Sequence, residues 1–295
     1  MHPKKLDTSH FFTVDVEEYF HAKAMESVVK RDEWLLQPSR VANSVDALLG
    51  SLDRHRAHGT FFVLGWLADQ CPQIVRAIAA AGHEVASHGY WHDPVTRLDL
   101  KGFREDVRSS KQALEDLLGC AVLGYRAPNF SIVPGGEWAF DVLLEEGYRY
   151  DSSLFPVRRP GYGYPTAQRA PHLLRRPAGT LAEFPLATTK VFAYNVPAAG
   201  GGYLRQFPYG VIRRAFQEAS DRGEPATFYI HPWEVDPEQP RLPVSSVTRI
   251  RHYRGLEGTL ARIERLLGEF RFDAIATYLP HLEASATAAK VVGAA

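Results

Sequence analysis

Cysteine is nearly missing from this chain, whose 295 residues hold only Cys71 and Cys120. Two thiols make no disulfide framework, so the fold must rest on a packed core, and a reducing compartment is the default expectation. No run of 18 apolar residues occurs, which predicts that no helix spans a membrane. The opening MHPKKLDTSHFFTVDVEEYF has basic residues but meets acidic ones with no apolar stretch between them. That is unlike a secretory leader, and a cytoplasmic location is the expectation. Dense Lys/Arg blocks are also missing, and the formal net charge is zero. This argues against nucleic acid or an anionic membrane as the main partner. No G-x-G-x-x-G or P-loop stands at a strand–helix junction, which lowers the dinucleotide and phosphate readings.

What is present is an ordinary soluble composition, 45% hydrophobic and 23% charged. The length suits one large α/β domain or two ordinary ones. Strand-like segments recur at 11–16 (FFTVDV), 60–65 (TFFVLG), 83–89 (HEVASHG), 122–128 (VLGYRAP), 148–153 (YRYDSS), 182–189 (AEFPLATT), 226–232 (ATFYIHP) and 272–277 (FDAIAT). Helix-like segments lie between them, such as PQIVRAIAAAG, with Pro in its first turn and Gly at its end. Six or more such alternations predict a parallel sheet or a β/α barrel. Residues 155–177 and 197–210 read as loop excursions, because the alternation resumes after each. Residues 283–295 lack aromatics and read as a fraying tail.

Polar residues gather just past the C-terminal ends of these strands, the catalytic face of a β/α barrel. They are Asp15 with Glu17 and Glu18, Ser87 and His88 with His92, then Arg126, Asp151 and His231. The stretch SHGYWHDP at 87–94 places two histidines one turn apart, able to converge on one cation. Chance alone could produce such a pair among twelve histidines. Each other residue also has a plain reading. Asp15 or Asp151 could cap a helix, Arg126 could form a surface ion pair, and His231 could sit satisfied in a loop. Acids and histidines falling so regularly after strands weigh more than any one of them.

Those residues carry a family resemblance. TVDVEE (13–18), SHGYWH (87–92), YRAP (125–128), YDSS (150–153) and YIHP (229–232) stand in the order seen in the polysaccharide deacetylases, the NodB-homology or carbohydrate esterase 4 family. DVEEYFH, GYRAPNFSI and FYIHPWE further resemble a subgroup associated with bacterial exopolysaccharide clusters. The resemblance implies a distorted (β/α)7 barrel over residues 1–282 and hydrolysis of the N-acetyl groups of a poly- or oligosaccharide.

Amide hydrolysis at neutral pH asks for a polarised carbonyl, an activated water and a proton for the leaving amine. A divalent ion, zinc being the expected one, would be held by His88, His92 and a carboxylate. Val16 stands where the family carries its ligand carboxylate. A turn after Asp15 is therefore expected to swing Glu17 to the rim, with Glu18 as the fallback and Asp15 as the last resort. Asp15 is read as the base, Arg126 as its partner and His231 as the acid. A backbone N–H near 125–128 is expected to help the oxyanion. Tyr125, Pro128, Asp151 and Trp233 are read as substrate-side residues; Tyr90, Trp91, Phe130 and Tyr203 could stack on sugars or simply pack. The expected partner is an N-acetylated glycan, with no nucleic acid. Two rivals stay open: a metal-independent amide hydrolase of the allantoinase type on the same fold, and a non-catalytic sugar-binding barrel.

Overall fold

The computed structural model describes residues 8–159 and 161–292. Eleven strands are formed: β1 Ser9–Val16, β2 Thr60–Val63, β3 Glu84–Ser87, β4 Gly124–Tyr125, β5 Tyr150–Asp151, β6 His172–Arg176, β7 Gly179–Glu183, β8 Thr188–Val191, β9 Tyr194–Pro197, β10 Thr227–Ile230 and β11 Arg271–Asp273. Seven of them run parallel in the order β10-β1-β2-β3-β4-β5-β7. Among the described residues the two ends of that row meet only at Leu186 and Thr227, where Ala187 N–H donates to the Thr227 carbonyl at 3.0 Å. The fold is therefore a distorted β/α barrel that hydrogen bonds barely close. β6 flanks β7 as an antiparallel hairpin arm, and β11 pairs with β1.

Strand alternation sorts the side chains into two cores. Phe11, Phe62, Ala86, Tyr150, Ala182 and Phe184 point to the barrel axis and pack together, closed from below by Ile275 and Leu279. Phe12, Val14, Val16, Phe61 and Val63 point outwards, into the larger core under the helices. Helix Leu100–Leu118 illustrates the local logic. Asp99 caps its start by accepting from Gly102 N–H at 2.7 Å, and Gly119 ends it in the left-handed region at φ 68°. Its buried face is Phe103, Val107 and Leu114, at helical spacing.

The lower mouth carries one buried carboxylate. Glu84 accepts from Tyr150 Oη (2.7 Å), Thr60 Oγ1 (2.6 Å) and Ala276 N–H (3.0 Å), so it joins three strands to the start of helix Ile275–Val292. Burial raises its pKa despite those donors. The stretch read from sequence as a tail continues this helix to Val292, as alanine-rich sequence favours. Residues 1–7 and 293–295, read as the domain's start and the tail's end, lie outside the described residues. None of the described helices is long and apolar enough to cross a membrane.

Each excursion carries some regular structure: 155–177 ends in β6, and 197–210 contains a helix. Residues 197–210 hold helix Gly201–Gln206, and the hairpin β8–β9 stands just before it. A Cβ at Gly200 (φ 93°) would fall 2.3 Å from the Tyr229 ring, and one at Gly201 would fall 2.1 Å from Glu234 Oε2. The glycine run lets backbone press against β10. Inside the barrel, Gly124 faces the Tyr150 ring, where a Cβ would fall 1.9 Å from Tyr150 Cζ. Gly124→Ala should destabilise the fold by about 1–3 kcal/mol through overpacking. Thermal unfolding should show a midpoint several degrees lower, and an unchanged midpoint would contradict the inward packing of β4.

Candidate active site

β1 contributes Thr13 and Asp15, and Glu17 just past its end continues the same face because the three are two residues apart. No turn is needed to bring Glu17 to the rim. Val16 points the other way and is 1% exposed in the outer core. The same rule sets His88 above Ala86, Arg126 above Gly124, Ser152 above Tyr150, and His231 above Tyr229. The barrel axis is thus apolar below and ionic above.

Glu17, His88 and His92 present ligand-type atoms that all lie within 4.8 Å of one another. His88 Nε2 is 3.1 Å and His92 Nε2 2.9 Å from Glu17 Oε1. The Arg126 carbonyl sits 2.8 Å from His88 Nδ1 and can only accept, so Nδ1 carries the proton and Nε2 is the atom left to face an ion beside Glu17. His92 Nε2 is buried and, despite its short distance to Glu17, makes no hydrogen bond. Its backbone is left-handed at φ 59°, a strained conformation for a non-glycine residue that turns the ring back towards Glu17. Burial opposes ionisation of Glu17, yet His92 and His231 hold its pKa well below the usual range. One carboxylate and two imidazoles whose lone pairs converge fit a divalent ion of the zinc class.

Glu18 faces away from this cluster. Its carboxylate accepts from Arg40 N–H at 3.0 Å and Val41 N–H at 3.3 Å, and from Ser39 Oγ. It caps helix Val41–Arg54, so the fallback ligand is spent on secondary structure.

Beside the cluster, Asp15 Oδ1 pairs with Arg126 Nη1 at 2.6 Å, both fully buried. Arg126 also donates to Thr13 Oγ1 (2.7 Å), Ser152 Oγ (2.7 Å) and the Ser152 carbonyl (2.9 Å), and its guanidinium lies 4.1 Å over the Phe62 ring. His231 Nε2 lies 3.9 Å from both Asp15 Oδ2 and Glu17 Oε1. Its Nδ1 meets Glu234 Oε2 at 2.9 Å, and Glu234 is paired in turn with buried Arg205 at 2.9 Å. Burial disfavours charge on His231, but Glu17, Glu234 and Asp15 together raise its pKa to about 9. Burial likewise opposes charge on Glu234, which Arg205 and His231 overcome to bring it down to about 2.

A cavity of about 320 Å³ opens above these groups. Asp15, Glu17 and His231 lie at it, with Phe130, Tyr162, Tyr229 and Trp233 among its walls. Of the residues read as substrate-side, only Trp233 lines it. Trp233 is sandwiched between His231 (ring centroids 5.1 Å) and His252 (4.2 Å). Tyr125 points into the helix layer against Phe103 and Tyr148, because it is the outward residue next to inward Arg126. Asp151 is also an outward position, level with Glu183 of β7. Burial pushes both carboxyls up, and the neighbouring Asp151 raises Glu183 further. Asp151 accepts from Ser153 Oγ at 2.6 Å, and Ser153 Oγ accepts from Ala127 N–H at 2.8 Å, so it braces the Arg126 loop from behind. Pro128 is buried and does not line the cavity. The N–H groups of Arg126 and Ala127 are already donated, to the Ser87 carbonyl and Ser153, so neither is free for an oxyanion. Tyr90 donates to Asp69, and Trp91 lines a different cavity with Arg31 and Trp34.

Sequence reading missed Glu234 and Arg205. Glu234 sits three residues after His231, a spacing that forms a capping box and could have flagged it. Arg205 lay inside a stretch taken for a loop, and nothing local marked it.

Residues 36–138 match the polysaccharide deacetylase family model, and residues 152–280 match a domain of unknown function, DUF3473. The chain is 30% identical over 112 residues to a peptidoglycan deacetylase of Helicobacter pylori, covering 37% of this chain and 36% of that protein. It is 31% identical over 96 residues to a chitooligosaccharide deacetylase of Bradyrhizobium, covering 32% and 42%. The matched stretches thus span less than half the length of these curated relatives. Among solved structures, a Mycobacterium smegmatis protein assigned as a polysaccharide deacetylase superposes with TM-score 0.63 at 21% identity, covering 95% of this chain and 92% of that one. Puue allantoinase gives the same TM-score at 17% identity, covering 96% and 92%. At such identities the likeness concerns the fold alone. Residues 36–138, which contain both histidines of SHGYWH, are thus a polysaccharide deacetylase domain by their match to that family model.

Proposed function

We propose that the protein hydrolyses N-acetyl groups on amino sugars of a bacterial poly- or oligosaccharide, in exopolysaccharide assembly or modification. The observation that carries this reading is the convergence of Glu17, His88 and His92 beside Asp15 and His231 on one cavity. The names of the relatives, peptidoglycan and chitooligosaccharide deacetylases, support the substrate class.

Glu17, His88 and His92 would hold a divalent ion, with zinc the expected species, which would supply polarisation of the acetyl carbonyl and a more acidic water. Asp15 takes the water's proton on Oδ2, the oxygen not engaged by Arg126 and facing His231. Arg126 positions that carboxylate through Oδ1. His231 delivers its Nε2 proton to the amide nitrogen as the C–N bond breaks, releasing acetate and leaving the amine on the sugar. Glu234 orients the ring from Nδ1, as a third group commonly orients a catalytic imidazole. The aromatic walls exclude bulk water from the reacting atoms.

Acetate release from N-acetylglucosamine oligomers tests the reading. Chelation should abolish release and added zinc should restore it; turnover indifferent to chelator would favour the metal-independent rival. Asp15→Asn and His231→Ala should each lower kcat by about 10²–10⁴-fold while metal content by mass spectrometry stays near one ion per chain. Asn is the informative change at Asp15, because Ala would leave Arg126 buried without a polar partner there. Glu234→Gln should lower kcat with little change in KM, whereas equal loss of folding stability and no kinetic change would make Glu234 structural only.

A second expectation separates the two glutamates. Glu17→Gln should abolish stoichiometric metal binding. Glu18→Ala should keep the metal but cost about 0.5–2 kcal/mol of stability, the usual worth of a helix cap. The reverse pattern would overturn the ligand assignment.

A further inference from the structure

Residues 239–256 contain four arginines, Arg241, Arg249, Arg251 and Arg254, and no acidic residue. Helix Ser246–Tyr253 carries two of them and forms a shared wall. Arg251 and His252 line the cavity above Asp15 and Glu17. Arg249, Ile250 and Tyr253 line an adjoining cavity of about 550 Å³ together with Arg241 and Arg254. Several other exposed arginines are matched: Arg104 and Arg108 to Glu146, Arg213 and Arg265 to Glu269, Arg214 to Glu218. Among the described residues no carboxylate lies within ion-pair distance of the four. The nearest acids in sequence are Glu238, which lies 4.0 Å from Arg40, and Glu257.

The acids of the site do not cancel this charge. Glu17 is engaged by His88 and His92, Asp15 by Arg126, and Glu234 by Arg205 and His231. Lys23, also without an ion pair, adds positive charge on the same inner cavity. Arg241 is held in place, its guanidinium 4.4 Å over the Tyr253 ring, and Tyr253 Oη accepts from Leu242 N–H at 2.9 Å. An uncompensated cationic strip therefore leads from the surface to the reacting groups. Guanidinium forks match carboxylates in bidentate geometry, and an apolar-walled cleft focuses their field.

We propose that the glycan carries carboxylate groups on sugars flanking the N-acetylated one, and that Arg249, Arg251 and Arg254 select it by binding them. This deepens the deacetylase reading and rests on it for the reaction, though not for the binding. The test compares two oligosaccharides of equal length on the zinc-loaded full chain. One is neutral poly-N-acetylglucosamine; the other alternates N-acetylglucosamine with glucuronate. Calorimetric affinity and acetate release are measured for both, at low and raised salt. Wild type should favour the uronate-bearing chain about ten-fold or more, and the preference should shrink with salt. The triple change Arg249→Gln, Arg251→Gln, Arg254→Gln should erase the preference, and Arg→Glu changes should invert it. Equal affinity for both chains, or equal loss of both in the variants, overturns the proposal. If the uronate chain binds preferentially but releases no acetate, this inference stands and the deacetylase reading falls. If acetate is released with no charge preference, the reverse holds.

Discussion

Arg126 is a full positive charge with no solvent exposure at the barrel axis, and the upper half of the molecule is arranged around neutralising it. Asp15 and Thr13 from β1, Ser152 after β5 and the face of Phe62 from β2 enclose the guanidinium. Thr13 Oγ1 donates in turn to the Phe228 carbonyl and Ser152 Oγ to the Phe184 carbonyl, each at 2.7 Å. One charge thereby ties β1, β5, β7 and β10, the strands flanking the weak seam at Leu186 and Thr227. Removing one partner of such a pair costs on the order of 3–5 kcal/mol, so the pair constrains both fold and chemistry. The same residue's carbonyl fixes the tautomer of His88. The orientations of Asp15 and of His88 are set from opposite ends of one arginine.

Much of this was legible in the sequence because strands obey a period of two and the family motifs fall at strand ends. The parallel barrel, the meeting of Glu17, His88 and His92, and the closeness of Asp15, Arg126 and His231 all follow from inward positions at matching heights. The odd first motif, Asp-Val-Glu, is ordinary in those terms: acid, core residue, acid. Expecting a turn there overlooked that β1 stays extended through Val16.

The misreadings have the same origin. Tyr125 and Asp151 adjoin the inward Arg126 and Ser152 in sequence and so face away from them in space, one into the helix layer and one against Glu183. Glu18 follows Glu17 and is likewise turned outwards, where it caps a helix starting over twenty residues later. Residues 197–210 read as a loop because the alternation resumes after them, yet PAAGGG is tightly packed, since Tyr229 and Glu234 occupy the space that side chains would fill. Arg205 reaches Glu234 across 29 residues, and no local pattern encodes such a contact.

Net charge hid the last feature. Thirty-four cations and thirty-four anions cancel in sum, yet folding spends the anions unevenly. Some are drawn to the barrel axis, as Asp15, Glu17 and Glu84 are; others pair with arginines on helices, as Glu146, Glu218 and Glu269 do. Each pairing there removes a counter-charge from somewhere else. The segment 239–256 contributes no acid of its own, so its arginines stay uncompensated at the mouth of the cavity. A neutral chain can in this way present a locally positive entrance, because partners are chosen by the fold and not by the total. The field that results acts where a ligand approaches the reacting groups, and it follows from the same demand for buried and paired carboxylates that builds the site.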